Sequence, residues 1–219
     1  MKKPLYDALI IPTGETTSGN RSFPVSSEAV RLFDKGNGIY GCIFVTGGYG
    51  GFSKVTPGKS VSEAKETVDY LIDNGVNEKK IFYDDRSLET LGNFAFPIAN
   101  PMDGNPNLLD FDKMQIIGKE GHIWRMPDYL SLVMPHKNMA NMVSFYPITG
   151  EHNNGLMVKK YHEGLIKILN KKYGEDINAE KVAEFLKNEH PFYKPKWYDK
   201  SVARRKVEMG AKALNWLAR

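Results

Sequence analysis

A histidine and an arginine with complementary chemistry lie three residues apart in the second half of the chain. His122 and Arg125 follow shortly after the apolar run KMQIIGK. A histidine can exchange a proton near neutral pH, and an arginine can hold a carboxylate or phosphate with two hydrogen bonds. Side chains spaced i, i+3 at a helix entrance can face one crevice. His122 is therefore the leading acid or base candidate, although a capping histidine beside a surface arginine explains the pair equally well.

Two carboxylates complete the predicted catalytic set. Glu63 follows Ser62 at the start of an amphipathic segment, and Asp84 lies at the end of the run KIFYDD. Such side chains can hold ribose hydroxyls or an amino group, or move a proton. Helix capping by Ser62, with Glu63 at the positive end of the helix dipole, is the alternative for the first carboxylate.

Glycines and small polar residues form the predicted binding set. Gly47 and Gly48 precede a glycine-rich loop whose backbone N–H groups can approach a ligand closely, but a tight turn also explains them. The spacing of Ser87, Thr90 and Asn93 allows one face of the next helix to present all three. The predicted ligand-binding residues are Gly14, Gly47, Gly48, Ser62, Ser87, Thr90, Asn93 and Arg125.

Several familiar motifs are missing. No P-loop pattern is present, and no G-x-G-x-x-G pattern follows a predicted strand. No nucleophile elbow G-x-S-x-G occurs, so serine hydrolysis has no support. No H-x-x-x-H or C-x-x-C spacing occurs, and we predict no metal site.

The elements that must position these residues alternate between strands and helices. Short apolar runs predict strands at 6–11 and 40–46 and in the segments KIFYDD, KMQIIGK and MVSFYPI. Amphipathic segments predict helices in SSEAVRLFDKG, EAKETVDYLIDNG, SLETLGNFAFPIANP and HIWRMPDYLSLVMP. This alternation predicts a three-layer α/β fold, with a mostly parallel sheet and helices on both faces. In such a sheet ligands bind at the carboxyl ends of the strands.

The pattern changes after Gly150. Residues 151–219 predict three helices and carry 15 Lys and Arg against 9 Asp and Glu, a net charge of +6. We therefore predict an α/β domain at 1–150 and a basic helical extension at 151–219 that packs on it. The aromatic residues of PFYKPKWYDK indicate an ordered connector. The extension could also cover the pocket or build a homodimer.

Composition sets broader limits. The 219 residues contain a single cysteine, Cys42, so no intramolecular disulfide can form. The N-terminal apolar run is short and interrupted by Asp7 and Pro12, which argues against a signal peptide or a spanning helix. We predict a cytoplasmic protein that is not inserted in a membrane.

The order of the motifs resembles that of the YdcF/SanA/ElyC family, a family catalogued as a domain of unknown function. The resemblance covers about residues 6–148 and is carried by DALIIPTG, VTGG, SEAKETVDYLIDNGV, IFYDDRSLETLGN and IIGKEGHIWR. The chain departs from the family pattern at Asp84, where glutamate is usual, at Glu89, where asparagine is usual, and at Gly92, Gly118 and Lys119. The resemblance implies a pocket at the strand ends that the matched residues line.

Three functions remain open from the sequence. The first is binding, or conversion, of an anionic or nucleotide-like small molecule; the resemblance adds S-adenosylmethionine as a candidate, because one family member is described as binding it. The second is a hydrolase or transferase acting on a phosphorylated or glycosylated cell-envelope precursor. The third, which the interrupting acids Asp199 and Glu208 disfavour, is nucleic-acid or acidic-surface binding by the extension. Its candidate residues are Lys194, Lys196, Trp197, Tyr198, Lys200, Arg204, Arg205 and Lys206.

Overall fold

In the computed structural model, the strands and helices follow one another along the chain in the order that the sequence predicts. The described residues are 3–13, 24–35, 38–50, 57–58, 60–149, 156–194, 196–201, 204–205 and 208. Within them, one sheet contains the strands β1 Tyr6–Pro12, β2 Tyr40–Thr46, β3 Ile81–Asp84, β4 Met114–Lys119 and β5 Val143–Ile148.

All neighbouring strands of this sheet are parallel. The strand order is β3-β2-β1-β4-β5, so the direction of winding reverses between β1 and β4. A reversal of this kind opens a crevice between the carboxyl ends of the two central strands. The crevice lies where the sequence places Thr13, after β1, and His122, after β4.

Helices cover both faces of the sheet, which confirms the predicted three-layer α/β fold. They are α1 Pro24–Lys35, α2 Glu63–Asp73, α3 Gly92–Ala99, α4 Glu120–Ile123, α5 Met126–Val133, α6 Met139–Met142, α7 Leu156–Tyr173 and α8 Ala179–Asn188. Leu9 and Ile11 of β1 pack in one core cluster with residues of α1 and α2. Ala8 and Ile10 pack in another with residues of α3, α5, α7 and α8. The alternation along β1 follows from the two-residue period of a strand.

The helix after β3 begins later than we predicted from Ser87. Residues 85–91 form a loop and a turn, and α3 begins only at Gly92. Ser87 and Thr90 therefore lie in the loop before the helix, and the prediction of one helical face shared with Asn93 is wrong. Pro97 lies inside α3, which ends two residues later at Ala99.

The glycine pattern GNGIYG at 36–41 has dinucleotide-type spacing but leads into β2 instead of out of a strand. Its described part, residues 38–41, lies at the amino end of the sheet. It therefore cannot place a phosphate at a helix N-terminus in the way that the dinucleotide motif does.

The C-terminal helices share a core with the sheet. Leu165 of α7 and Leu186 of α8 are fully buried in the cluster that contains Ile10 and Phe44. The predicted connector also packs inward, since Trp197 has an exposed fraction of 3%. The third predicted helix, from 201 onward, lies almost entirely outside the described residues.

Candidate functional site

Most of the predicted site residues lie near the carboxyl ends of the strands. Ser62 and Glu63 open α2, Asn93 lies in the first turn of α3, and His122 lies in α4 after β4. Gly14 lies outside the described residues. His122 is partly buried, and its backbone oxygen accepts from the Arg125 N–H at 3.4 Å.

Gly47 and Gly48 join the ends of β2 and β3 to the start of α2. The N–H of Gly47 donates to the Asp84 carbonyl at 2.9 Å, and the N–H of Gly48 donates to the Ser87 carbonyl at 2.7 Å. Their own carbonyls accept from the N–H groups of Ala64 and Glu63, at 2.9 and 2.7 Å. The backbone N–H and C=O groups of both glycines thus form hydrogen bonds within the protein.

Neither position of the glycine pair has room for a side chain. A Cβ at Gly47 would lie 1.9 Å from Thr13 Oγ1, and the backbone there has φ +141°. A Cβ at Gly48 would lie 2.2 Å from the carbonyl oxygens of both Asp85 and Ser87. Close packing therefore requires glycine at both positions.

The start of α2 is a capped helix terminus. The Ser62 hydroxyl accepts from the Lys65 N–H at 3.2 Å, which is the predicted N-cap bond. Glu63 is 2% exposed. Burial raises the pKa of the Tyr198 hydroxyl, and the negative charge of Glu63 nearby adds to this shift. The Tyr198 hydroxyl donates to the Tyr49 carbonyl at 3.3 Å, so the connector packs against the loop that follows β2.

Asp84 is fully engaged by a neighbour. Its carboxylate accepts from the Arg86 backbone N–H at 3.1 Å and from Arg86 Nε at 3.0 and 3.1 Å, and Arg86 Nη2 pairs with it as well. The same nitrogen donates to the carbonyl of Asn100 at 2.7 Å. Asp84 would have to exchange this arginine for a substrate before acting in catalysis.

Asn93 ties α3 to the central strands. Its amide nitrogen donates to the Thr13 carbonyl at 3.2 Å, and its backbone carbonyl accepts from the Thr46 hydroxyl at 2.7 Å. The start of α3 is therefore held beneath the carboxyl ends of β1 and β2.

Arg125 reaches the start of α3 from the far side of the crevice. Its Nη2 donates to Thr90 Oγ1 at 2.8 Å, so two predicted site residues from different strand ends are brought together. The residue is 9% exposed, and its buried Nε has no hydrogen-bond partner among the described residues. A buried guanidinium N–H without an acceptor is costly, and an anionic ligand group would satisfy it.

Glu89 is the site residue that sequence reasoning missed. Its two carboxylate oxygens accept from the N–H groups of Leu91 and Gly92, at 2.8 and 2.5 Å, and so cap α3. Burial raises the pKa of Glu89 to about 7, although these N–H groups and the nearby charge of Arg125 lower it. No ion pair within 4.0 Å joins Glu89 to Arg125. The sequence offered one signal, the glutamate at a position where asparagine is usual in the family that the motifs resemble.

Aromatic residues of the connector cover this cluster. The Tyr193 hydroxyl accepts from the Leu88 N–H at 2.8 Å. Tyr161 and His190 form a hydrogen bond with each other, and burial, followed by the negative charge of Glu89, holds the pKa of Tyr161 well above its usual value. Tyr193 of the connector therefore packs against the loop before α3, next to Gly92.

Two broader features are absent from the described part of the chain. No helix there combines the length and apolar character that crossing a membrane requires. No group of three or more His, Cys, Asp or Glu side chains there is arranged to hold a metal ion.

Comparison of the chain with protein-family models, with curated proteins and with solved structures finds no match. The resemblance to the YdcF/SanA/ElyC family therefore stays a prediction from the quoted motifs.

We expect Gly48→Ala to lower the free energy of unfolding by about 1 to 3 kcal/mol, because the new methyl group would overlap two backbone carbonyls that cannot move independently. Gly164→Ala is the matched control: it lies in α7 with nothing within 4 Å of the added Cβ, and should be neutral or stabilise by up to about 1 kcal/mol. Urea denaturation measures both. Equal effects of the two substitutions would contradict the packing argument.

A second prediction concerns the pH dependence of stability. The folded-state pKa of Glu89, about 7, lies above its ordinary value of 4.5, so the folded protein binds the proton more tightly. This contribution is complete below pH 4.5 and is lost as the pH rises to about 7, up to about 3 kcal/mol in all. We expect Glu89→Gln to flatten the fall in the free energy of unfolding across that window.

Denaturant titrations at several pH values measure this slope. Glu184→Gln, an exposed glutamate of α8, is the control that should keep the wild-type slope. Identical slopes for wild type and Glu89→Gln would show that Glu89 does not titrate in this window.

Proposed function

We propose that the protein binds a small anionic or nucleotide-like molecule in the crevice between the carboxyl ends of β1 and β4. The observation that carries this proposal is Arg125, a nearly buried arginine whose Nε lacks an acceptor among the described residues. A carboxylate or phosphate of the ligand would supply that acceptor.

The position of Arg125 supports the proposal. Ligands of open parallel sheets bind where the winding direction reverses, which here is between β1 and β4. Arg125 follows β4, while its partner Thr90 precedes α3, whose start is bonded to Thr13 after β1. Residues from both sides of the crevice therefore converge on one point.

Glu89 adds a second recognition element. Its carboxyl group lies at the start of α3. The positive charge of Arg125 lowers the pKa of this carboxyl group, but the two side chains form no ion pair. An amino group or hydroxyl of a ligand can bind such a carboxyl while an acidic group binds the arginine. S-adenosylmethionine carries a carboxylate, an ammonium group and ribose hydroxyls, so it matches this chemistry and is the first compound to test.

The basic extension offers less for nucleic acid than its sequence suggested. Trp197 and Arg205 are each 3% exposed, so neither ring nor guanidinium lies on the surface for stacking. Lys200 and Arg204 both pair with Glu208. Part of the positive charge and aromatic surface that this alternative requires is thus buried or already paired with an acidic residue.

Isothermal titration calorimetry tests the proposal. The ligands are S-adenosylmethionine, AMP, glucose 6-phosphate and inorganic phosphate, each titrated into the full chain. We expect at least one to bind, and Arg125→Met to weaken its binding by about 10-fold or more, because a charge-assisted hydrogen bond is lost.

The control is Arg31→Met, which removes an arginine from α1 that pairs with Glu28 at the surface. Its affinity should match that of the wild type. Circular dichroism shows whether each variant is folded. The proposal fails if none of the ligands binds to folded protein, or if every ligand that binds the wild type binds folded Arg125→Met as tightly.

A further inference from the structure

A second set of polar groups lies apart from the crevice, between the start of α5 and the middle of α7. A surface groove of about 670 Å³ is lined by residues of both segments. Its lining includes Trp124 and Asp128 from the α5 side and His162, Lys167 and Lys171 from α7. None of these residues belongs to the predicted site at the strand ends.

His162 is held in one orientation at this groove. Its Nε2 lies 2.9 Å from Asp128 Oδ2, and because a carboxylate only accepts, Nε2 is the donor. The ring packs edge-on against Trp124 and Tyr129, with centroids 5.0 and 4.7 Å away. In the neutral ring Nδ1 is then an acceptor, and this buried atom has no partner among the described residues.

The other lining residues include a ring platform, two positive charges and the carboxylate of Glu163, which pairs with Lys159 at 4.0 Å. Trp124 is 37% exposed, which is unusual for so large an apolar side chain. Lys167 and Lys171 are exposed and lie one helical turn apart on α7. Within the described part of the chain neither lysine forms an ion pair within 4.0 Å, although Glu163 of the same helix lies one turn before Lys167.

We propose that this groove is a second small-molecule site, which binds a planar aromatic ring bearing a phosphate or carboxylate. The ring packs on Trp124, the anion lies between Lys167 and Lys171, and an N–H or O–H of the ligand donates to His162 Nδ1. Asp128 is a positioning residue, because it acts through the histidine ring. The proposal does not depend on ligand binding at Arg125.

NMR spectroscopy of ¹⁵N-labelled full-length protein tests the proposal with AMP as the probe. Adenosine tests the ring alone, and inorganic phosphate tests the anion alone. We expect AMP to shift the Trp124 indole signal and the His162 Nδ1 resonance, and to bind about 10-fold or more tightly than either fragment, since each fragment lacks one group of contacts. Titration of Arg125→Met protein with AMP separates this site from the crevice and should give the same shifts.

Two double variants with the same loss of charge complete the experiment. Lys167→Ala/Lys171→Ala should weaken AMP binding about 10-fold or more. Lys79→Ala/Lys80→Ala, which removes two exposed lysines from the turn before β3, should leave binding unchanged. Thermal unfolding shows that each variant is folded.

Three results would overturn the proposal. The first is that AMP, added in 10-fold molar excess to protein at millimolar concentration, shifts neither the Trp124 signal nor the His162 signal. The second is phosphate or adenosine binding as tightly as AMP. The third is an equal loss of affinity in both lysine variants, which would indicate a general charge effect.

Discussion

The close approach of three chain segments at Gly47 and Gly48 is the constraint on which the site depends. Neither glycine has room for a side chain, because the Thr13 hydroxyl and the carbonyls of Asp85 and Ser87 occupy the space. Its backbone groups then bond to the end of β3 and to the start of α2. Since β2 lies between β1 and β3, this contact fixes the positions of the loops after these three strands relative to one another.

The position of α3 follows from the same packing. The Ser87 carbonyl accepts from the Gly48 N–H and so is not used in a helix. The Glu89 carboxyl caps α3, which begins at Gly92. A carboxyl in that place satisfies the free N–H groups of a helix start, as a bound anion would. Burial makes its negative charge costly, which is why its proton affinity rises.

The fold was largely accessible from the sequence, and the site only in part. Apolar runs such as YDALIIP, buried on both faces of a parallel sheet, identify strands by composition alone. Ser62 was also recognisable as a helix cap. The pairing of Asp84 with Arg86 and the capping by Glu89 were not, because loop conformation decides which of several neighbouring polar side chains meets a given backbone group. No spacing rule links His162 to Asp128, which lie 34 residues apart on different helices.

One short helix positions residues of both proposed sites. Arg125 precedes α5 and reaches Thr90, while Asp128, three residues on, meets His162 of α7. Tyr129 lies between them: it contacts the His162 ring, and the charges of Glu89, Arg125 and Asp128 all act on its hydroxyl, whose pKa is raised chiefly by burial. A change at Tyr129 would therefore disturb both sites together. Arg125 and the lysines of α7 lie at opposite ends of this connection, so substitutions there address one proposed site at a time.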